Sequence, residues 1–150
     1  MISLELKRKA QKIKLAAFDI DGVMTDGGLI YLPDGSEAKM FNAKDGLGLS
    51  MIHKAGIITA IITAKDAPVV LNRAEVLNID KVYLNQRNKI EAFEEILKEY
   101  NITADEVLYM GDDLPDMEVL KACGLSACPN DAIDEVVEIC DYVTVKTAGH

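Results

Sequence analysis

Carboxylate, hydroxyl and ammonium side chains follow apolar segments of this 150-residue sequence, at the point where each segment ends. They are Asp19, Asp21, Thr63, Lys89 and the acidic residues of the sequence 111–116. Each group alone is a weak signal, because a carboxylate after a strand is more often part of a turn or a helix cap. Ligands of open α/β sheets bind beyond the carboxyl ends of the strands, so we expect these groups to converge on one edge.

Such a convergence predicts a metal site and phosphoryl-transfer chemistry. Two carboxylates repel each other by about 4 kcal/mol when they lie about 4 Å apart at an effective dielectric constant near 20. The cluster therefore needs a cation, and ligands that are all oxygen favour Mg²⁺. Beside that ion, a lysine and a hydroxyl can hold phosphoryl oxygens while an aspartate attacks phosphorus and forms an aspartyl-phosphate.

The elements that must position these groups read as alternating strands and helices. Strands are expected at 15–20, 56–63, 81–84, 106–110, 124–127 and 141–145. A helix is expected over 88–100, where apolar residues recur at three- and four-residue spacing and Asn88 and Glu91 suit a cap and its partner. This alternation predicts one α/β domain over residues 1–150, with a doubly wound (Rossmann-like), mostly parallel sheet.

Residues 28–41 interrupt that alternation. Two β-type runs flank Pro33, Asp34 and Gly35, which suit a tight turn, so a β-hairpin inserted after the first strand is expected. Residues 29–32 are four consecutive apolar residues, so both faces of that strand need cover. One domain of this size readily covers only one of them, and this favours contact with other subunits.

Composition limits the partners. The net charge of −9 disfavours nucleic acid and anionic membranes, and no apolar run approaches the roughly 18 residues of a membrane span. Residues 1–14 are basic and lack the apolar region of a secretory signal, so a short lead-in helix is expected there. The three cysteines show no CxxC spacing, which is typical of buried thiols in a reducing compartment. Together these features predict a cytoplasmic protein.

The segments FDIDGVMTDG, IITA and MGDDLPD, together with Lys89, resemble the four motifs of the haloacid dehalogenase superfamily of phosphohydrolases, in order and spacing. The resemblance implies that Asp19 is the nucleophile and Asp21 the general acid and base. It also implies that Mg²⁺ is bound by Asp19, Asp112 and the backbone carbonyl of Asp21, and that phosphate is bound by Thr63 and Lys89. Asp113 and Asp116 are implied to orient these ligands without contacting the metal or the phosphate themselves.

Longer segments, among them DGVMTDGGLIYLPDGSEAKMFNAKDGLGL, NRAEVLNI and TVKTAGH, resemble the capless branch that includes the 3-deoxy-D-manno-octulosonate 8-phosphate phosphatases. The branch implies a sugar-acid phosphate substrate, no cap domain, a place in lipopolysaccharide biosynthesis, and a homotetramer in which the hairpins of residues 29–41 wall adjacent active sites. The implied substrate contacts are Asp21, Asn42, Ala43, Lys44, Asp45, Gly46, Arg73 and Lys89.

Ser50 and Lys65 depart from this pattern, since the octulosonate enzymes usually carry arginine at both positions. The substrate that the resemblance favours is 3-deoxy-D-manno-octulosonate 8-phosphate, and a nonulosonate (sialic-acid-type) 9-phosphate is the alternative.

Two other classes of protein remain open. A phosphoacceptor receiver domain also combines strand-end carboxylates with a threonine, a lysine and Mg²⁺. Its acidic pair comes first in the chain, however, whereas here Asp112 and Asp113 follow the lysine. A non-catalytic oligomerisation module is disfavoured because every catalytic position is present.

Overall fold

A computed structural model describes residues 2–150. The strands are β1 (Leu15–Phe18), β2 (Ile30–Tyr31), β3 (Glu37–Ala38), β4 (Ile58–Ile62), β5 (Lys81–Tyr83), β6 (Val107–Met110), β7 (Leu125–Cys128) and β8 (Tyr142–Val143). The α-helices are α1 (Leu4–Gln11), α2 (Ala43–Lys54), α3 (Pro68–Val76), α4 (Lys89–Tyr100), α5 (Met117–Ala122) and α6 (Asp134–Ile139). Two short 3₁₀ turns cover Ala104–Glu106 and Leu114–Asp116. Each predicted strand of the sheet lies within two residues of its observed bounds.

Six strands form one parallel sheet in the order β5-β4-β1-β6-β7-β8. The chain first moves outward from β1 through β4 to β5, then crosses back to β6 on the other side of β1 and continues to β8. The strand order therefore reverses at β1, and a sheet of this kind binds ligands at such a switch point. The residues that follow β1 begin with Asp19.

Apolar side chains cover both faces of the sheet. One core contains Phe93 and Ile96 of α4 together with side chains of α5 and α6, and the other contains side chains of α2 and α3. This arrangement confirms the predicted doubly wound α/β fold. In the part of the chain that the structure describes, the hairpin alone lies between β1 and α2, so no cap domain is inserted there.

The hairpin pairs β2 with β3 in antiparallel register, and its strands are shorter than residues 28–41 predicted. Its turn forms as expected, since the Gly35 N–H donates to the Leu32 carbonyl at 2.9 Å and the Ser36 N–H donates to Asp34 Oδ1 at 2.9 Å. Leu29, Ile30, Tyr31 and Leu32 are between 45% and 64% exposed, so this strand lacks apolar cover within the chain described.

The predicted capping interaction of α4 is wrong in its detail. Asn88 is the N-cap, but its side chain accepts no N–H of the helix. Its Nδ2 instead donates to Glu91 Oε1 at 2.9 Å. The bond from Nδ2 to the Glu91 carboxylate fixes the orientation of the amide, and its Oδ1 is then not placed to accept an N–H of the helix; hydrogen bonds to charged groups are stronger than neutral ones.

No helix in residues 2–150 combines the length and hydrophobicity that crossing a bilayer requires.

We expect Phe93→Ala to lower the free energy of unfolding by about 3–5 kcal/mol, because it removes a large, fully packed side chain and leaves a cavity. Val76→Ala, at a position that is 70% exposed, is the control and should change it by less than about 0.5 kcal/mol. Urea unfolding followed by circular dichroism measures both. Equal losses in the two variants would contradict the assignment of this core.

Candidate active site

The loop after β1 turns Asp19 inward. The Asp19 N–H continues the sheet by donating to the Met110 carbonyl at 3.0 Å, and the Ile20 N–H donates to Asp19 Oδ1 at 2.7 Å. The buried Thr25 hydroxyl then accepts from the N–H groups of Gly22 and Gly27, at 3.4 and 3.2 Å. These bonds fold the loop back on itself and leave Asp19 buried at the end of the strand.

Gly22 lets this loop approach the one that follows β6. Its φ of +82° is in the left-handed region that favours glycine, and a Cβ at this position would overlap the carboxylate of Asp112. The contact between the two loops therefore depends on the absence of a side chain, and it brings Asp112 close to Asp19.

Lys89 opens α4 and reaches into the same cluster. Its Nζ lies 3.0 Å from Asp19 Oδ1 and 2.8 Å from Asp116 Oδ1, and the side chain is almost completely buried. A buried ammonium is stable only when it is paired, so the lysine and these two carboxylates form a single unit.

Asp116 organises the acidic loop. Its Oδ1 accepts from Lys89 and from the Tyr109 hydroxyl, the latter at 2.6 Å. Its Oδ2 accepts the N–H groups of Asp112 and Asp113, at 3.0 and 3.3 Å. Four donors saturate this fully buried carboxylate. Asp116 is therefore suited to orient Lys89 and the loop that carries Asp112. Asp113 itself caps the turn by accepting the Leu114 N–H at 2.7 Å.

The electrostatics of the cluster favour a bound cation. One oxygen each of Asp19, Asp112 and Asp116 lies within 4.8 Å of the others. Burial and the charge of Asp116 raise the pKa of Asp19 to about 6, against the opposing effect of Lys89. Burial and the charges of Asp19 and Asp116 raise the pKa of Asp112 to about 8.

Asp112 also has a ligand position to offer. Its Oδ1 is buried and has no hydrogen-bond donor among residues 2–150. Asp116 has no such spare position, so the residues that fit a divalent cation are Asp19 and Asp112. The backbone carbonyl of Asp21 stays a predicted ligand. Oxygen ligands of this kind suit Mg²⁺.

Asp21 faces the hairpin. Lys39 Nζ lies 2.6 Å from Asp21 Oδ1 and 3.3 Å from Glu37 Oε2. Lys65 Nζ lies 3.2 Å from Glu37 Oε1 and 4.0 Å from Asp21 Oδ2. Burial lowers the pKa of Lys39, but the hydrogen bonds and charges of Asp21 and Glu37 outweigh it and raise the pKa overall. The hairpin is thus joined to the loop after β1 by ion pairs.

Thr63 lies at the end of β4, next to β1 in the sheet. It is buried, and the Lys65 N–H lies 3.4 Å from its Oγ1. Its role as a phosphate ligand stays a prediction.

The predicted substrate residues at 42–46 form a separate group with Arg73 at the start of α2. Asn42 Oδ1 accepts the Lys44 N–H at 2.8 Å, and Asn42 Nδ2 donates to the Gly149 carbonyl at 3.1 Å. Arg73 lies 5.5 Å from the ring centre of Phe41, and its Nη2 donates to the Asn42 carbonyl at 3.2 Å. The side chains of Asn42 and Arg73 therefore already stabilise the fold of this loop. Ala43 begins α2.

The acidic member of this group is Asp45. Burial raises its pKa, and the charge of Arg73 opposes the effect. Gly46 lies directly against Arg73, whose Nη2 would crowd a Cβ there at 3.1 Å.

A cavity of about 400 Å³ lies beside this group. Lys44 and Asp45 line it together with apolar residues such as Phe18, Leu49 and Met110. Asp19 and Lys89 do not line it. The structure thus brings the catalytic candidates together but shows no described contact that joins them to residues 42–46 or Arg73.

Sequence reasoning missed Lys39 and Tyr109. Lys39 contacts Asp21 across 18 positions of the chain, and no local pattern marks such a pair. Tyr109 lies on the buried face of β6 with Val107, so the sequence marks it only as a core residue, and its hydroxyl nevertheless donates to Asp116.

Comparison with known proteins places the chain in a family. A family model described as haloacid dehalogenase-like hydrolase matches residues 76–150, which contain Lys89 and Asp112. The 3-deoxy-D-manno-octulosonate 8-phosphate phosphatase KdsC of Escherichia coli (strain B / BL21-DE3) is 40% identical over 149 residues, which are 99% of this chain and 79% of that protein.

Two crystal structures are similar over nearly the whole chain. A probable YrbI family phosphatase from Pseudomonas syringae pv. phaseolica superposes with a TM-score of 0.97 at 37% identity, covering 99% of this chain and 84% of that one. The 3-deoxy-D-manno-octulosonate 8-phosphate phosphatase from Moraxella catarrhalis, solved with magnesium ion, phosphate ion and a KDO molecule, gives 0.95 at 37% identity, covering 97% and 84%. The chain therefore belongs to the haloacid dehalogenase-like hydrolases.

Proposed function

We propose that this protein is a Mg²⁺-dependent phosphatase that hydrolyses 3-deoxy-D-manno-octulosonate 8-phosphate through an aspartyl-phosphate. The observation that carries the proposal is the buried Asp19 carboxylate, paired with Lys89 and lying beside a second carboxylate, Asp112, whose Oδ1 has no partner among residues 2–150. The names of the E. coli and M. catarrhalis relatives support the choice of substrate. We infer that residues 1–150 act as a single phosphatase domain.

In this mechanism Asp19 is the nucleophile. Its carboxylate attacks phosphorus, while the Ile20 N–H and Lys89 hold Oδ1 in place. The bond between phosphorus and the sugar oxygen breaks, and Asp21 gives its proton to that oxygen. Asp21 then takes a proton from water, the water oxygen bonds to phosphorus, and the bond to Asp19 breaks to release inorganic phosphate.

Lys89 and Thr63 are the proposed phosphate ligands. The Lys89 ammonium is held at the nucleophile by its two ion pairs, where it would neutralise charge on the transferring phosphoryl group. Asp19, Asp112 and the backbone carbonyl of Asp21 would hold Mg²⁺, which when bound supplies further charge neutralisation and orients the phosphate. Asp113 and Asp116 would orient the metal and phosphate ligands through hydrogen bonds without contacting the metal or the phosphate.

Residues 42–46 and Arg73 are proposed to contact the sugar acid. Lys44 and Arg73 add positive charge to an otherwise acidic chain, which suits a substrate that carries a carboxylate as well as a phosphate. The net charge of −9 and the absence of a membrane-crossing helix in residues 2–150 support a cytoplasmic location and no nucleic-acid partner.

We also infer a homotetramer in which the hairpins, residues 29–41, pack together. Support comes from the consecutive exposed apolar residues of β2 and its flanks, since contiguous apolar surface of this kind marks interaction sites.

The wild-type protein should hydrolyse 3-deoxy-D-manno-octulosonate 8-phosphate with a higher kcat/KM than glucose 6-phosphate, measured as phosphate release. Asp19→Asn is the matched control and should lose essentially all turnover, because an amide is too weak a nucleophile. Equal efficiency with both substrates would contradict the substrate assignment, and a preference for a nonulosonate 9-phosphate would redirect it. Substantial activity of Asp19→Asn would contradict the mechanism.

Asp112→Asn should stabilise the metal-free protein and abolish its stabilisation by Mg²⁺. The pKa of Asp112 is raised on folding, so the folded protein without metal holds a proton that the unfolded chain releases. In EDTA, the stability of the wild type relative to Asp112→Asn should therefore fall as pH rises from about 4 to about 8, and Mg²⁺ should reverse that loss.

Thermal unfolding across this pH range, with and without Mg²⁺, measures both effects. Asp134→Asn, at an exposed position on α6, is the control and should behave as the wild type. A wild-type melting temperature that Mg²⁺ leaves unchanged at neutral pH would refute the metal site.

Ile30→Glu and Leu32→Glu should each split the tetramer of 16.4 kDa chains and weaken turnover, because a charge cannot be buried unpaired in an apolar interface. Light scattering at micromolar concentration measures the mass. Leu71→Glu, an exposed apolar position on α3, is the control and should stay tetrameric. A wild-type monomer with full activity would rule out this assembly.

A further inference from the structure

Lys39 is a buried cation of the hairpin that the proposed chemistry leaves unused. Its side chain is 2% exposed, although β2 and the turn of the same hairpin are exposed. It donates to Asp21 Oδ1 at 2.6 Å and to Glu37 Oε2 at 3.3 Å. Removing one partner of a buried ion pair leaves a costly unpaired charge, so Lys39 and Asp21 fix each other's position.

Glu37 and Lys65 complete this arrangement. Lys65, which follows β4, donates to both oxygens of Glu37 at 3.2 and 3.4 Å. Two carboxylates and two ammonium groups therefore join β3, the loop after β1 and the loop after β4. When both carboxylates are ionised their formal charges cancel those of the two ammonium groups, so this group holds together without a metal ion.

The contact acts on one specific oxygen of Asp21. A charge-assisted hydrogen bond of 2.6 Å holds Oδ1. Oδ2 lies 4.0 Å from Lys65, beyond hydrogen-bond distance. The two oxygens thus differ: Oδ1 accepts from the protein, while Oδ2 is available to exchange a proton.

We propose that Lys39 is a positioning residue for the acid–base steps, holding Oδ1 of Asp21 so that Oδ2 delivers the proton to the leaving oxygen and later removes it from water. The inference rests on the proposed role of Asp21. In the first step the phosphorus–oxygen bond of the ester breaks, its electron pair stays on the leaving oxygen, and that oxygen takes the proton from Oδ2. In the second step Oδ2 regains a proton from the attacking water.

The leaving group provides a test that a merely structural role would fail. A sugar alkoxide must be protonated as it leaves, whereas p-nitrophenolate is a stable anion and needs no proton. The first step can be followed alone in a single turnover, as the exponential burst of alcohol released when a small amount of substrate is mixed with saturating enzyme. Burst rate constants do not depend on the fraction of protein that is folded, so a partly unfolded variant still reports correctly.

We expect Lys39→Met to slow the burst from 3-deoxy-D-manno-octulosonate 8-phosphate by about 10²-fold, because the proton donor is misplaced. With p-nitrophenyl phosphate the burst rate constant should change by less than about 3-fold, because a leaving group that needs no proton is insensitive to the general acid. Asp21→Asn should show the same selectivity, and Lys39→Arg should recover part of the rate. Lys81→Met, which breaks a pair with Glu99 away from the site, should match the wild type.

Glucose 6-phosphate separates this role from substrate recognition, since it is a sugar phosphate without a carboxylate. Slowing of its burst in Lys39→Met supports the positioning role. Slowing confined to the octulosonate ester would assign Lys39 to binding the substrate carboxylate and overturn the inference. Equal slowing with all three esters, or none, would also overturn it. A wild type that hydrolyses no ester would instead refute the proposed function.

Discussion

Repulsion between buried carboxylates at the end of β1 is the constraint on which the site depends. One oxygen each of Asp19, Asp112 and Asp116 lies within 4.8 Å of the others, and the Lys89 ammonium pairs with Asp19 and Asp116. The approach is possible because Gly22 has no side chain. One ammonium does not balance three carboxylates, and the raised pKa values of Asp19 and Asp112 express that imbalance. A divalent cation supplies the missing charge.

Local charge balance distinguishes this cluster from the neighbouring one. At the hairpin, Asp21 and Glu37 face Lys39 and Lys65, so two negative charges meet two positive ones. That group is stable as protein alone and can hold a short hairpin in place, although a two-stranded hairpin is marginal by itself in water. The imbalanced cluster is suited to bind a metal and a phosphate, and the balanced one is suited to hold an acid in position.

The sequence predicted the order of elements because periodicity and turn residues are local properties. The strand ends alone predict that Asp19, Thr63 and Asp112 share one edge of the sheet, and the parallel arrangement of β1, β4 and β6 places them there. Contacts between distant segments could not be predicted in this way. Lys39 lies in a segment that reads only as a hairpin strand, and the capping role expected of Asn88 was lost to a nearby carboxylate. The Lys39 contact depends on the tertiary structure. The Asn88 contact is local, but residue types alone do not decide which hydrogen bond the amide makes within the first turn of α4.

Rapid acid quench tests most directly whether Asp19 carries the phosphoryl group during turnover. The wild type, mixed with ³²P-labelled 3-deoxy-D-manno-octulosonate 8-phosphate and Mg²⁺ and quenched within the first turnover, should hold label that hydroxylamine releases. Mass spectrometry should locate the phosphate on the peptide that contains Asp19, and Asp19→Asn should hold none. Turnover without protein-bound phosphate, or label on a different residue, would contradict the account.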